Sequence, residues 1–181
     1  MKKLTICIGY DKREIVAYHT LCQSILDSAS IPVNFIPLNL NNFKDFYRRP
    51  KGKLDSTEFS ISRFLTPYLS KFEGISLYLD CDFIIKEDIK KLINIVDKDK
   101  SKSVWCVKHT HVTENKKKFL NEKQLNYNKK NWSSFMLFNN KKCKILTPKM
   151  IENANGLYLH QFKWTKENLI GALDPRWNVL I

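Results

Sequence analysis

The chain has 181 residues, which is enough for one domain with a substantial core and too short for two. Hydrophobic residues make up 43% of it, a normal share for a globular protein that excludes global disorder. The net charge of +13 comes from lysines spread along the whole chain, without the aromatic interleaving of a single-strand-binding groove, so we expect no specific nucleic-acid partner.

Strands and helices alternate in the first half of the chain. An apolar run at 4–8 predicts a buried strand, and Asp11 with Glu14 resembles a capping box that opens a helix. Apolar residues then recur at helical spacing from 15 to 26, and residues 33–38 alternate like a second strand. A polar loop over 39–55 leads to a further helix from about residue 56, which Pro67 should kink or end.

The second half continues the alternation. We predict a strand at 75–79, a helix at 87–96 and short strands at 104–107 and 134–138, followed by short helices. The basic segment 108–131 is expected to be a mobile, partly helical excursion over the site. The pattern predicts an α/β fold, a single domain over 1–181 with a mostly parallel central sheet and helices on both faces.

Cysteine usage and apolar run lengths bear on the cellular compartment. The five cysteines contain no Cys-x-x-Cys pair, and an odd count without a framework indicates a reducing cytoplasm. No stretch approaches the roughly 20 apolar residues that span a bilayer, and the start lacks a small-residue cleavage site. We expect a cytoplasmic protein, with a peripheral position on the inner, anionic membrane surface as a further option.

The most informative stretch is the apolar strand 75–79, which ends in Asp80-Cys81-Asp82. Side chains alternate along a strand, so both carboxylates can project to the same side of the sheet edge. Ligands of open α/β sheets bind beyond the carboxyl ends of the strands, where this pair falls. A hard cation such as Mg²⁺ or Mn²⁺, shared with a diphosphate, would offset the repulsion between them.

Several motifs occur together in a fixed order. An apolar first strand comes first, then an arginine-bearing helix at 59–64, the Asp-Cys-Asp strand, the strand around 135–139, and the ending 173–178. This set resembles the GT-A fold glycosyltransferases, most closely the retaining enzymes of family 8, over nearly the whole chain. The resemblance implies a metal-dependent hexosyltransferase that uses a nucleotide-diphosphate sugar, a UDP-sugar by preference, and a glycan or lipid-linked acceptor.

The resemblance also implies roles for individual residues. Asp80 and Asp82 match the Mn²⁺ or Mg²⁺ ligands, while Arg63 and Gln161 match catalytic positions near the donor and the reacting sugar carbon. Further positions match the binding site of the nucleotide sugar: Ile8, Gly9, Tyr10, Asp11, Arg63, Asp80, Cys81, Asp82, Ser133, Ser134 and His160.

The chain departs from the family pattern at the expected sugar pocket. His160 replaces the usual aspartate before the glutamine, and Trp132-Ser133-Ser134 replaces an Asn-(Ser/Ala)-Gly sequence. Lys108-His109 stands where an acidic residue often follows the strand. The family's third metal ligand is a histidine in a later segment than Ile181, so we expect a C-terminally incomplete domain or another group in that position.

Other interpretations stay open. Asp80 and Asp82 could be plain strand-end carboxylates, and Asp11 a helix cap rather than a ribose contact. Three histidines invite a zinc hypothesis, although no cysteine or carboxylate stands at ligand spacing. A phosphohydrolase of the haloacid dehalogenase type also uses Asp-x-Asp at a strand end, but in its first strand. A non-catalytic basic binding module and an inactive transferase remnant are the remaining alternatives.

Overall fold

A computed structural model of the protein describes residues 3–52, 55, 57–110 and 128–180. Most of the predicted excursion over 108–131 lies outside these residues, so that expectation stays a prediction. Among the described residues no helix is both long and apolar enough to cross a membrane.

Six strands form one sheet with the order β2-β1-β3-β5-β4-β6. Their bounds are Leu4–Gly9 (β1), Val33–Leu38 (β2), Ile75–Leu79 (β3), Val104–Cys106 (β4), Phe135–Asn139 (β5) and Ile170–Ala172 (β6). β5 runs antiparallel to its neighbours β3 and β4, and the other three pairings are parallel. The prediction of an α/β domain with a mostly parallel sheet is confirmed.

Five α-helices accompany the sheet in the described residues: Ile15–Ser28 (α1), Thr66–Leu69 (α2), Lys90–Lys98 (α3), Pro148–Asn153 (α4) and Gly156–His160 (α5). Helix α1 buries Tyr18, Leu21 and Ile25, as the spacing predicts, whereas Leu26 at its far end is exposed. Pro67 lies in the first turn of α2, where its missing N–H costs no hydrogen bond, so it starts a helix instead of ending one.

The capping box predicted for α1 is wrong. The N-cap residue is Glu14, and its side chain makes no capping hydrogen bond. The Asp11 carboxylate instead accepts from the backbone N–H of Arg13 at 3.0 Å, inside the turn that precedes the helix. An aspartate side chain can accept from backbone N–H groups in a turn as well as at a helix N-terminus. Asp11 accepts in the turn, and it therefore does not cap α1.

The strand β6 was not predicted, because it has only three residues, including a glycine. Gly171 lies against the Trp105 ring, and a Cβ atom at this position would come within 2.1 Å of that ring. The close approach of the ring to the backbone explains a glycine in a strand that otherwise has weak β propensity.

The antiparallel direction of β5 determines what meets at the site. Leu79, the last residue of β3, pairs with Phe135, the first residue of β5. The segment before β5 therefore reaches the same edge as Asp80. The connection between β4 and β5 leaves and returns at this edge, where the Trp132 indole N–H donates to the His109 carbonyl at 3.0 Å.

Gly9 ends β1 beneath the Phe59 ring, where an added Cβ would lie 2.6 Å from a ring carbon. We expect Gly9→Ala to destabilise the fold by about 1–3 kcal/mol, because the ring cannot move out of a packed core without cost. Denaturant unfolding measures this change. Phe59→Leu should make room, so the double variant should lose less stability than the sum of the single ones; strict additivity would contradict the clash.

Candidate active site

Three segments meet at the carboxyl edge of the sheet. Asp80 follows β3, Ser133 and Ser134 precede β5, and Arg63 lies in the 3₁₀ helix Ser62–Leu65. The backbone N–H of Asp80 donates to the Ser134 carbonyl at 2.9 Å, which continues the β3–β5 ladder past the end of the strands. The sheet itself therefore brings these sequence-distant residues together.

Arg63 forms an ion pair with Asp80 at the centre of this edge. Its Nη1 lies 3.1 Å from Asp80 Oδ1, and only 8% of the arginine side chain is exposed. Nη1 also donates to the Ser133 carbonyl and Nε to the Ser60 carbonyl, both at 2.9 Å. A buried guanidinium with this many acceptors is held in one orientation.

Two aromatic rings complete the surroundings of the guanidinium. The Arg63 carbon Cζ lies 5.2 Å from the Tyr78 ring centroid and 5.8 Å from that of Phe59. Both distances fall within the range of cation–π attraction. Arg63 therefore contacts Asp80, the first residue of the predicted metal pair.

The Asp80 carboxylate lies near other negative charges that Arg63 does not fully offset. The pKa of Asp80 is raised to about 6, mainly by burial and to a smaller extent by the charges of Asp82 and Glu14, against the lowering effect of Arg63. The Tyr78 hydroxyl donates a hydrogen bond to Asp80 and also favours its ionised form. Asp80, Asp82 and Glu14 thus contribute three carboxylates to this edge, where Arg63 is the guanidinium that faces Asp80. This excess of negative charge favours the binding of an additional positive group.

The Asp-Cys-Asp stretch lies just past the end of β3, with Cys81 and Asp82 in a turn rather than in the strand. Cys81 is buried and Asp82 is exposed, while the Asp80 side chain keeps 19% of its surface accessible. The Cys81 thiol donates to Glu14 Oε2 at 3.1 Å, and burial raises the pKa of this thiol. The predicted contact between Cys81 and the nucleotide sugar would therefore involve the Cys81 backbone.

Glu14 is the residue that sequence reasoning missed. Interpreted as part of a capping box, it instead contacts Cys81 from the N-cap position of α1 and adds charge beside Asp80. Its partner is 67 residues away along the chain, and only the pairing of β1 with β3 brings the two together. No local pattern in the sequence could have found it.

The turn after β1 is organised by Asp11. Ile8 is fully buried, and Tyr10 packs edge-on against Tyr18 at 5.5 Å. The Asp11 carboxylate, itself buried, accepts from Arg13 Nη2 at 2.6 Å and from the Glu58 backbone N–H at 3.3 Å. The hydrogen bond from the Arg13 side chain is the main reason that the pKa of Asp11 falls to about 2.

His160 joins the central group through Ser133. The Ser133 hydroxyl lies 2.8 Å from His160 Nδ1, and the His160 ring packs edge-on against Phe64 at 5.4 Å. Because the Ser133 carbonyl accepts from Arg63, a chain of contacts runs from His160 to Asp80. His160, the residue that departs from the family pattern, is thus linked to Asp80 through Ser133 and Arg63.

Gln161 and Ser134 have mainly structural contacts. The Gln161 N–H donates to the Leu157 carbonyl at 2.9 Å, and its own carbonyl accepts from Lys129 Nζ at 3.2 Å. The Ser134 hydroxyl donates to the Asn131 carbonyl at 2.7 Å and accepts from Asn178 at 2.9 Å. The described contacts do not join the Gln161 side chain to the Arg63–Asp80 pair.

The carboxylates fit a hard divalent cation in chemical type, since Mg²⁺ and Mn²⁺ prefer oxygen ligands. The excess of acidic charge around Asp80 is the observation that favours such an ion. Within residues 3–52, 55, 57–110 and 128–180, no three His, Cys, Asp or Glu side chains are grouped to hold a metal. A cation here would therefore need phosphate oxygens or water as further ligands.

This sheet and its helices have the fold of the GT-A-like glycosyltransferases, as comparison with solved structures shows. GlyE of Streptococcus pneumoniae TIGR4 matches with a TM-score of 0.58 at 17% identity, over 98% of this chain and 47% of GlyE. The bifunctional glycosyltransferase WbbM matches at 0.62 and 13%, over 98% and 40%. The galactosyltransferase LgtC matches at 0.52 and 15%, over 95% and 74%. The chain spans less than half the length of GlyE and WbbM.

A closer relationship comes from sequence. Protein CDI of Arabidopsis thaliana is 40% identical over 183 residues, which covers 99% of this chain and 70% of that protein. The chain belongs to the same family as Protein CDI. No protein-family model matches the chain.

The electrostatics of Asp80 predict a stabilising substitution. Because the folded protein binds the Asp80 proton more tightly than the unfolded chain, stability falls as pH rises from about 4 to about 6. Asp80→Asn should therefore stabilise the protein by about 1–3 kcal/mol above pH 7, and the gain should vanish near pH 4. Arg63 keeps two carbonyl acceptors in this variant.

Urea unfolding of both proteins between pH 4 and 8 measures this difference. Asp45→Asn, at an exposed carboxylate, is the matched control and should change stability little at any pH. A loss of stability in Asp80→Asn at pH 8 would show that the Arg63 ion pair outweighs the cost of burial.

Asp11 has the opposite pH dependence. Its depressed pKa makes the carboxylate stabilising above about pH 4, and this contribution is lost as pH falls toward 2. We expect Asp11→Asn to lower the free energy of unfolding by about 1–2 kcal/mol at pH 7. Near pH 2 the melting temperatures of the variant and the wild type should lie closer together. Thermal unfolding at pH 7 and in acid tests this, and equal losses at both pH values would refute the charge-based account.

Proposed function

We propose that the chain is the donor-binding domain of a metal-dependent glycosyltransferase. It would transfer a hexose from a nucleotide-diphosphate sugar, a UDP-sugar by preference, to a glycan or lipid-linked acceptor. The single observation that carries the proposal is the Arg63–Asp80 ion pair with Asp82 nearby, at the carboxyl edge of a GT-A-like sheet.

The turn after β1 supplies the nucleotide side of the proposed site. Gly9 lets the backbone pass close beneath Phe59, and Asp11 fixes the following turn through Arg13 and Glu58. The Asp11 carboxylate is already used within the protein, so its role is to shape the turn that receives the base and ribose. Tyr10, half-buried against Tyr18, offers an aromatic surface there.

The acidic edge supplies the diphosphate side. Asp80 and Asp82 would hold Mn²⁺ or Mg²⁺, which acts as a Lewis acid on the departing diphosphate when bound. Arg63 orients the Asp80 carboxylate and offsets part of its burial cost, so that it is ionised near neutral pH. Arg63 is thus a positioning residue for the donor in this proposal.

Ser133, His160 and Gln161 would lie on the sugar side. His160 contacts Ser133 and, through it, the backbone carbonyl that holds Arg63. A carboxamide such as Gln161 could stabilise positive charge on the sugar and orient the acceptor hydroxyl. Retention of configuration follows only from the resemblance to family 8. The solved LgtC structure holds donor and acceptor sugar analogues, which is consistent with a two-substrate site on this fold.

The phosphohydrolase alternative finds less support in the geometry. Such an enzyme would need one of the aspartates as a nucleophile that can attack phosphate. Asp80 is instead engaged by Arg63 and by the Tyr78 hydroxyl, and it follows β3, not β1.

Ligand-induced stabilisation tests the proposed function. With UDP and Mn²⁺ at about 100 times their dissociation constants, the melting temperature should rise by about 5 °C or more. Asp82→Asn and Asp80→Asn should each abolish this rise, measured against their own ligand-free melting temperatures. Asp45→Asn serves as the control and should keep it.

A rise of equal size in the wild type and both site variants would exclude these carboxylates as metal ligands. UDP release from a panel of UDP-hexoses, followed in the same proteins, then reports the donor sugar. If the protein binds UDP and Mn²⁺ but releases UDP from none of these UDP-hexoses, it is a nucleotide-binding domain without transferase activity.

A further inference from the structure

A second concave site lies at the opposite edge of the sheet. It is a cavity of about 660 Å³ bordered by the start of β1 and β3, the end of β5, and one side of α3. β3 runs from Ile75 at this cavity to Asp80 at the candidate active site. At about 3.3 Å per residue the two sites are roughly 16 Å apart. The cavity is therefore separate from the donor site proposed above.

The walls of the cavity are apolar. Leu4 from β1, Ile75 from β3, and Ile93 and Val96 from α3 line it. Leu4, Ile93 and Val96 are core residues with 1%, 6% and 3% of their surfaces exposed, so they form only the floor of the cavity. The half-buried Ile75 and the stems of the exposed lysines at the rim offer the apolar surface that a ligand can contact. A ligand that fills this space must bring an apolar body, because a hydrated ion or a sugar phosphate would have to be stripped of water against these side chains.

The rim of the cavity is basic. Lys3, Lys100, Lys141 and Lys142 border it, against a single acidic residue, Asp97. The four lysines are exposed and come from three separate places in the fold: before β1, after α3, and the 3₁₀ helix Asn140–Lys142. A ligand anchored here carries negative charge at the end of its apolar body.

The polar backbone and amide groups at the cavity are few. Asn139 is one of its lining residues, and its Nδ2 already donates to the carbonyls of Lys100 and Lys102, both at 3.4 Å. An acidic peptide would need partners for its own backbone N–H and C=O groups, which apolar walls do not offer.

We propose that this cavity binds an anionic phospholipid, with an acyl chain along Ile75 and the lysine stems, above the floor formed by Leu4, Ile93 and Val96, and with the phosphate among the four lysine ammonium groups. The volume lies in the range of sites that enclose small ligands, which suits one acyl chain with its glycerol phosphate and not a whole bilayer patch. Lysine stems can lie along apolar walls while their ammonium groups reach the phosphate. The proposal does not depend on the glycosyltransferase hypothesis.

Binding of a short-chain lipid to the full chain tests this proposal. The probe is dihexanoyl phosphatidylglycerol below its micelle concentration, followed by isothermal calorimetry and by NMR shifts of the cavity residues. We expect saturable binding, with dihexanoyl phosphatidylcholine at least about fivefold weaker because it lacks net charge, and with inorganic phosphate showing no binding at the same concentration.

Two double variants with equal loss of charge separate the cavity from general electrostatics. Lys141→Gln/Lys142→Gln removes half of the rim and should weaken phosphatidylglycerol binding by about tenfold. Lys149→Gln/Lys166→Gln, at exposed lysines away from the cavity, should leave it unchanged. Melting temperatures within a few degrees of the wild type confirm that both variants fold.

Three results would overturn the proposal. One is an absence of saturable phosphatidylglycerol binding, even if phosphatidylglycerol vesicles sediment the protein. Another is equal affinity for inorganic phosphate and the lipid, which would show that the apolar walls take no part. The third is an equal loss in the two double variants, which would show that only overall charge matters.

Discussion

The arrangement of the candidate site depends on one buried ion pair. Arg63 reaches Asp80 from a 3₁₀ helix, and its other hydrogen bonds go to carbonyls on either side of the site. Burial raises the pKa of Asp80, so the ionised carboxylate carries a desolvation cost that Arg63 offsets only in part. The fold thus holds a carboxylate in a fixed position at a cost in stability, as is common at functional sites.

The sheet positions the segments that lie on both sides of the Arg63–Asp80 ion pair. Parallel β1 and β3 bring the Gly9–Asp11 turn next to Asp80, and antiparallel β5 brings Ser133 in from the other side. Two residues from opposite ends of the chain, Glu14 and His160, thereby border the same acidic edge. A basic, apolar cavity occupies the far edge, so the two ends of the strands have opposite electrostatic character.

Much of the fold follows from local sequence patterns. The apolar runs of β1, β2 and β3 and the periodic spacing of α1 carry enough signal to place these elements. β6 and the direction of β5 could not be predicted, since both depend on pairing with distant strands and, for Gly171, on the Trp105 ring. The site divides in the same way: Asp80, Asp82 and Arg63 follow from motif and order, whereas Glu14 was assigned to a cap because its true neighbour, Cys81, is remote in sequence.

The link between β4 and β5 starts and finishes at the acidic edge, with its two ends tied by Trp132 and His109. Insertions, deletions or exchanges within such a link leave every strand pairing untouched, so they are tolerated without cost to the scaffold. Relatives that keep the sheet and the Asp80–Arg63 pair can thus diverge in this one connection.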